Sequence, residues 1–496
     1  MAASLVALLT VLIVPLLSFL LIAAWRPYFH LQRSDGRRLP PSPPGGQPLL
    51  GHLHLLGRLP HRALRSMAAS CGAVMLLRLG QVPTVVASSA AAAEEAMKTR
   101  DLAFASCPRL RMADRPYCTR DMVFAPSGER WRQPAPRLPR RVLCFRAARE
   151  QEVAALLDRV RGAADGAVAV NLSDLLIAYA NAVISRATFG DAGYGLEGDD
   201  GGGTKLRKVF SEFEELLGTV PMAEVVPWLW PVDVVTGLEQ KARRTFEEID
   251  RLVEKVIADH RRRRRGARRV GDGEDDRRDF VDVLLDLSET GEEVGGVQLD
   301  TVTIKATIQD MLATGTDTSY TLLEWAMAEL INHPTQMHKL QGEIRAAVGA
   351  AGGITEDDMP KLPYLKAVIK ETLGLHPPDH QDLSFCPGKP SRTPSCKATT
   401  SRHGPTWENA EEFMPERFAA DGEAEYHKMG LDFFLPFGAG RRGCPGVGFA
   451  VPANELLVPG GARPWTASAV VDMSEVNGLS VRLKKALLLV AKPWPR

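Results

Sequence analysis

Apolar positions open the chain in an unbroken run. From Met1 to Trp25 no charged side chain occurs, and LVALLTVLIVPLLSFLLIAAW is long enough to cross a bilayer as one helix. A cleaved signal peptide is the rival reading, but its apolar core is typically shorter. Arg26, Arg33, Arg37 and Arg38 follow directly, and flanking positive charge leaves the rest of the chain on the cytosolic side. Next comes LPPSPPGGQP (39–48), a semi-rigid spacer too rich in proline for helix or sheet. The pattern predicts a transmembrane signal-anchor over 1–25, a basic and proline-rich hinge over 26–48, and a folded body over 49–496.

Within the body, AVMLLRLGQVPTVVAS (73–88) alternates and is rich in valine and leucine, which predicts a strand, a turn and a strand. Helical period then dominates, over 89–98, 149–162, 170–188, 205–217, 237–263 and 279–288. The longest helical pattern runs from Asp300 to Pro334, with Pro334 ending it. Another, LPYLKAVIKETLGL, occupies 362–375. No internal repeat is present. The reading is a mainly α fold with a small β-sheet part, without a βαβ alternation.

Composition narrows the function. The 496 residues carry 61 Lys+Arg against 60 Asp+Glu, so no basic excess is available to neutralise phosphates, and nucleic acid is excluded as the main partner. The run Arg261–Arg265 is answered by Asp272, Glu274, Asp275 and Asp276, which reads as a solvated loop between helices. Seven cysteines, at 71, 107, 118, 144, 386, 396 and 444, show no paired spacing. That argues against a zinc ribbon and against a disulfide framework.

The stretch FGAGRRGCPG (437–446) admits two readings. Gly438 to Gly443 spells G-x-G-x-x-G, but a dinucleotide turn needs a preceding strand, a following helix and an acidic residue about twenty positions on. Pro436 interrupts the preceding run, and Arg463 stands twenty residues beyond Gly443. The second reading is a thiolate socket. Glycines at 438, 440, 443 and 446 let a tight loop bring backbone N–H groups near a sulfur. Pro445 in a first helical position would put Cys444 at a helix N-terminus, whose partial positive charge favours the thiolate. Arg442 can offer a fork to a carboxylate on whatever the sulfur binds. Together these suit an axial ligand to haem iron; the bland alternative is a structural cysteine buried in a turn.

The same stretch contains F-x-x-G-x-R-x-C-x-G, with Phe437, Gly440, Arg442, Cys444 and Gly446 in place. It resembles the cysteine-ligand signature of the cytochrome P-450 (haem-thiolate monooxygenase) family, nearest its microsomal plant members. The likeness extends over the anchor, the hinge, FMPERF (413–418) and the long helix. It implies a P-450-like α+β fold and haem b (iron-protoporphyrin IX) on the Cys444 thiolate. Cofactor contacts would come from Arg442, Phe437, Gly438, Trp131 and Arg132. It also implies a small apolar substrate, aromatic or terpenoid-sized, facing 104–125 and 206–232. Electrons would come from an NADPH–flavoprotein reductase, and the chain would sit in the endoplasmic reticulum membrane, single-pass, facing the cytosol. The family's [AG]-G-x-[DE]-T-[TS] motif falls on Thr314–Ser319, with Thr314 where Ala or Gly is usual. Gly315 and three threonines are poor helix formers, and threonine hydroxyls that capture a carbonyl one turn back open the ladder. Asp317 and Thr318 would then supply protons on the distal side; the bland reading is a merely polar patch on an amphipathic helix.

Four stretches depart from the family. In WRQPAPRLPRR (131–141), Ala135 holds the second arginine's place and three prolines disfavour a helix, at about 3 kcal/mol for an interior proline. In KETLGL, Glu371 is present but Gly374 stands where the family has an arginine that joins the glutamate and Arg417 in a buried triad. Loss of one member of such a network costs about 3–5 kcal/mol. Segment 379–405 shows no strand pattern, and VPGGARP (458–464) shortens the helix after Cys444. The abruptness of these defects supports an alternative reading, a non-catalytic pseudogene-type remnant or faulty gene model of the family. A nicotinamide-dependent dehydrogenase is the third.

Overall fold

A computed structural model describes residues 39–107, 110–117, 120–126, 128, 145–166, 168–190, 202–270, 279–290, 299–348, 354–378, 395–398, 409–419, 435–461, 465–466 and 470–491. The anchor 1–25, the basic part of the hinge, Trp131, Arg132 and the prolines at 134–139 lie outside these. Among the described residues no helix is long and apolar enough to cross a membrane.

Helix Pro60–Cys71 (α1) leads into Val74–Leu79 (β1) and Val82–Ala87 (β2), the hairpin that the alternation predicts, in antiparallel register from Val74↔Ala87 to Leu79↔Val82. Then come Arg146–Asp165 (α2), Ala169–Asn171 (β3), Leu172–Phe189 (α3), Gly202–Leu217 (α4), Leu238–Val270 (α5), Phe280–Glu289 (α6), Thr301–Asn332 (α7), Pro334–Val348 (α8) and Pro363–Leu375 (α9). Ser395–Ala398 (β4), Val447–Gly461 (α10), Trp465–Thr466 (β5), Glu475–Val476 (β6), Arg482–Leu483 (β7) and Leu488–Ala491 (β8) complete the larger elements. Among the described residues three small sheets are built, ordered β1-β2-β4, β3-β8-β5 and β6-β7. The fold is mainly helical with a little sheet, as the periodicity predicts.

Two expectations are corrected here. Arg261–Arg265 is not a loop but the last third of α5. Its charges are neutralised by neighbouring helices: Arg264 donates to the Asp282 carbonyl at 2.8 Å and pairs with Asp286, and Arg261 donates to Thr301 Oγ1 at 3.3 Å. Segment 379–405 does contain a strand, β4, which pairs in parallel with β2 from Thr84↔Ser395 to Ala87↔Ala398. Backbone pairing to an existing edge holds this strand, so the side chains need not alternate. Helix α10 ends at Gly461, inside VPGGARP as read.

Helix α7 is the axis of the core. The Asp300 side chain caps it through Thr303 N–H at 2.8 Å, and Pro334 opens the next helix. Every residue from Ser319 to Leu330 is buried, so this half of α7 has no solvent face. Helix α3 packs closest against it at Gly315, where a Cβ would stand 2.6 Å from Ile184 Cδ1. Glycine at 315 therefore serves helix–helix approach. Contrary to expectation, α7 runs without interruption past the threonines. Their hydroxyls bond back one turn, Thr314 Oγ1 to Asp310 O and Thr318 Oγ1 to Thr314 O, both at 2.7 Å, without opening the ladder.

Beside α7, α9 buries Glu371 completely. Arg417 Nε donates to its Oε1 at 3.1 Å, and Met414 N–H donates to the same oxygen at 2.9 Å. No arginine stands at 374, one turn on along α9, and the nearby Glu329 carboxylate adds repulsion. Burial pushes the Glu371 carboxyl up to about 7, against the pull of Met414 N–H and Arg417. His376 is committed elsewhere, with Nε2 at 2.6 Å from Glu329 Oε1 and its ring stacked on Trp325 at 4.0 Å.

Two outcomes are expected. Gly315→Val should destabilise the protein by about 2–3 kcal/mol through overpacking, read as a lower thermal midpoint, with Ile184→Ala in the same chain restoring part of it. An unchanged midpoint would show that α3 and α7 do not meet there. Glu371, with its folded pKa raised, stabilises fully below its unfolded value of 4.5 and loses that contribution as pH rises through about 7. Gly374→Arg, adding a cation to the same helix face, should recover on the order of 1–3 kcal/mol at pH 8 and little at pH 4. Equal effects at both pH values would contradict this.

Candidate functional site

The cysteine loop is a folded turn. Gly438 N–H donates to Leu435 O at 3.1 Å, Gly440–Arg442 forms one 3-10 turn closed by Gly443 N–H to Gly440 O at 3.2 Å, and Cys444 N–H donates to Phe437 O at 2.8 Å. Gly438 and Gly440 have φ of 67° and 65°, a conformation glycine adopts freely. At Gly440 a Cβ would stand 1.9 Å from Met97 O, so this position also lets the loop lie against the turn Glu95–Thr99. Glycine is not required in the same way at 443 and 446, where an added Cβ meets its nearest neighbours at 3.4 and 3.7 Å, the latter being Cys444 Sγ.

Cys444 is exposed and in no disulfide. It does not sit directly before a first helical proline, as the sequence predicts. Pro445–Gly446 forms a turn, Gly446 O accepts from Phe449 N–H and Ala450 N–H at 3.0 and 2.8 Å, and α10 starts at Val447. Gly446 is thus the cap, and Cys444 lies two residues ahead of it, still at the helix's positive end. The Phe437 side chain packs on the main core, which fixes the loop's first half.

Arg442 departs from its expected carboxylate role. Its guanidinium donates to Ala105 O at 2.8 Å, Ala125 O at 2.5 Å, and Met122 O and Val123 O at 3.5 Å. It ties the loop to the 105–125 segment. Burial lowers its pKa, with Cys107 and Asp121 pulling upward. Arg441 pins the other side through Asp101 at 2.7 Å. Trp131 and Arg132 lie outside the described residues.

On α7, successive residues face different ways. Thr316 Oγ1 donates to Asn181 Oδ1 of α3 at 3.3 Å, and Thr318 turns back to Thr314 O. Asp317 is 2% exposed and its Oδ2 has no hydrogen-bond partner. Burial pushes the Asp317 carboxyl up, while Ser480 and Arg482 pull it down. Asp317 and Thr318 thus share α7, whereas Cys444, Arg442, Phe437 and Gly438 share the loop ahead of α10, which packs directly on α7. Sequence reading missed the groups around Asp317, namely Glu214, Tyr320, Glu324, Ser480 and Arg482. Glu214 looks no different in sequence from Glu215, which pairs at the surface with Lys241 at 2.6 Å.

Known proteins agree with this architecture. The sequence profile described as Cytochrome P450 matches residues 40–383 and 399–458. The chain is 38% identical over 493 residues to (+)-menthofuran synthase of Mentha piperita, covering 94% of this chain and 96% of that one. It is 39% identical over 473 residues to Cytochrome P450 71A1 of Persea americana, covering 89% and 91%. A zebrafish cytochrome P450 structure with progesterone superposes with a TM-score of 0.71 at 20% identity, covering 88% of this chain and 99% of that one, which speaks for the fold. A buried central helix, an exposed thiol on a glycine loop at the head of α10, and full-length relatives converge: the chain belongs to the cytochrome P450 family and is a P450-type monooxygenase that binds haem.

Proposed function

We propose that this chain inserts one oxygen atom from O2 into a small apolar organic substrate, with Cys444 as the axial thiolate ligand of haem b. The observation that carries the reading is the exposed thiol of Cys444 on a loop whose backbone is fixed by Phe437 O, Gly440 and the α10 cap. The residues fit the group: one soft anionic ligand stands at a helix N-terminus, and a buried acid with an unpaired oxygen lies on the helix against which α10 packs. When bound, haem supplies the oxygen-activating redox chemistry, tuned by electron donation from the sulfur. The chain's own contribution is to fix Cys444, to exclude water around α7, and to hold protons at Asp317 and Thr318.

Electrons come, in this reading, from a separate NADPH–flavoprotein reductase, in keeping with the redox partners that this family generally uses. Residues 1–25 anchor the protein in the endoplasmic reticulum membrane with the body facing the cytosol. Phe437 and Gly438 line the cofactor, with Trp131 and Arg132 as further contacts. The carbonyl contacts of Arg442 support a role in holding the 105–125 segment beside it. The printed names of the relatives, menthofuran synthase among them, support a terpenoid-sized substrate. A second reading, a chain that folds without sustaining turnover, is favoured by Gly374 alone. Unchanged haem content in Gly374→Arg would show that the missing arginine is not limiting.

The test is turnover of the haem-loaded protein with a plant P450 reductase and NADPH against a panel of terpenoid-sized apolar compounds. Asp317→Asn and Thr318→Ala should each lower product per NADPH about 100-fold while NADPH is still consumed. Cys444→Ser should abolish product. Product formation by Cys444→Ser at the wild-type rate would overturn the assignment.

A further inference from the structure

Residues 120–125 form no helix or strand, yet Asp121 and Ala125 are buried there. Buried backbone outside regular structure must find its hydrogen-bond partners among side chains. Here the two kinds of backbone group are served from opposite sides. Carboxylates take the N–H groups: Asp310 Oδ2 of α7 accepts from Met122 N–H at 2.5 Å, and Asp121 Oδ1 accepts from Phe124 N–H. The cysteine loop takes the carbonyls, with Arg442 reaching Ala125 O at 2.5 Å and Met122 O and Val123 O at 3.5 Å. A surface tie to α7 is added by Arg120, which pairs with Asp300 at the start of the helix. The segment is therefore a strap between α7 and the cysteine loop. It spans the two halves of the candidate site, since Arg442 stands two residues before Cys444 and Asp310 two helical turns before Asp317.

Nothing local calls for an aspartate at 310. Aspartate is a poor interior helix residue, and a buried carboxyl is costly unless it is hydrogen-bonded. Asp310 is nonetheless 6% exposed. Its place on the Asp317 face of α7 would also fit a second proton donor, but Oδ2 is spent on a main-chain amide, which passes no proton on. We propose that Asp310 is a positioning residue that sets substrate selectivity: by holding the Met122 amide it fixes where the 120–125 strap lies between α7 and the cysteine loop, and so the space left beside it. Met122, Val123 and Phe124 ride on the strap, an apolar surface that suits an apolar substrate. The consequence for selectivity rests on the monooxygenase reading; the clamp does not. Without Asp310 the Met122 amide loses a charge-assisted bond and the strap is held by Arg442 and the Arg120 tie.

The experiment is amide hydrogen exchange resolved to Met122 in the full-length haem-loaded protein, run beside steady-state turnover of whichever compound of the terpenoid panel wild type oxidises fastest. Asp310→Ala should speed Met122 exchange about tenfold or more, with exchange in α9 unchanged. Asp310→Asn, whose amide oxygen also accepts, should restore most of the protection. In Asp310→Ala, KM should rise about tenfold with kcat within about twofold of wild type, and Asp310→Asn should bring KM back toward wild type. Unchanged Met122 exchange in Asp310→Ala overturns the clamp. A fall in kcat at unchanged KM would assign Asp310 to proton chemistry and overturn the positioning role. Should Asp310→Ala fail to fold, Asp310→Ser, too short to reach the Met122 amide, takes its place with the same expectations. If wild type oxidises none of the panel, the monooxygenase reading fails and the selectivity role with it, while the exchange result still decides the clamp.

Discussion

The buried passage of α7 through the core is the constraint on which the rest of this structure depends. A helix with no solvent face from Ser319 to Leu330 must satisfy every polar side chain it carries from its neighbours. Glu324 is met by Ser173 and by the main chain of β7, and Glu329 by His376. Gly315 lets α3 approach where any side chain would collide with Ile184. Gln309, Asp317 and Thr321 each keep one buried polar atom without a partner, and Asp317 is the acid among them, a group suited to proton chemistry.

The same logic explains how the cysteine loop is held. Its stiffness comes from outside the signature: Met97 O beneath Gly440, Asp101 on Arg441, and the 105–125 carbonyls on Arg442. Cys444 is carried by that framework and by α10, which packs in turn on α7. Thiol and acid therefore belong to one mechanical unit. Gly374 adds no cation to a different part of it, the buried Glu371–Arg417 contact at 3.0 Å, where burial makes the Glu371 carboxyl pH-sensitive.

Much of this was legible in the sequence wherever local pattern decides structure. The hairpin at 74–87 and most helices from 146 to 375 follow from alternation and period, whereas Pro334–Val348 was not read from the sequence. Legibility failed where a distant partner decides. Arg261–Arg265 reads as a solvated loop because Asp282 and Asp286 of α6 are not visible to a local charge count. Strand β4 has no alternation because an edge of β2 holds its backbone. Gly315 reads as a helix opener because nothing local reveals Ile184. In the candidate site the cysteine loop and the Asp317–Thr318 step of α7 were legible as sequence, but the residues that pack around them were not.

The central claim is that this chain, with Gly374 in place, assembles a thiolate-ligated haem at Cys444. The reduced carbon-monoxide difference spectrum of the expressed full-length protein tests it most directly. The account predicts a strongly red-shifted Soret band that Cys444→Ser removes. A band at the position typical of haem without thiolate ligation, or no band, would contradict it.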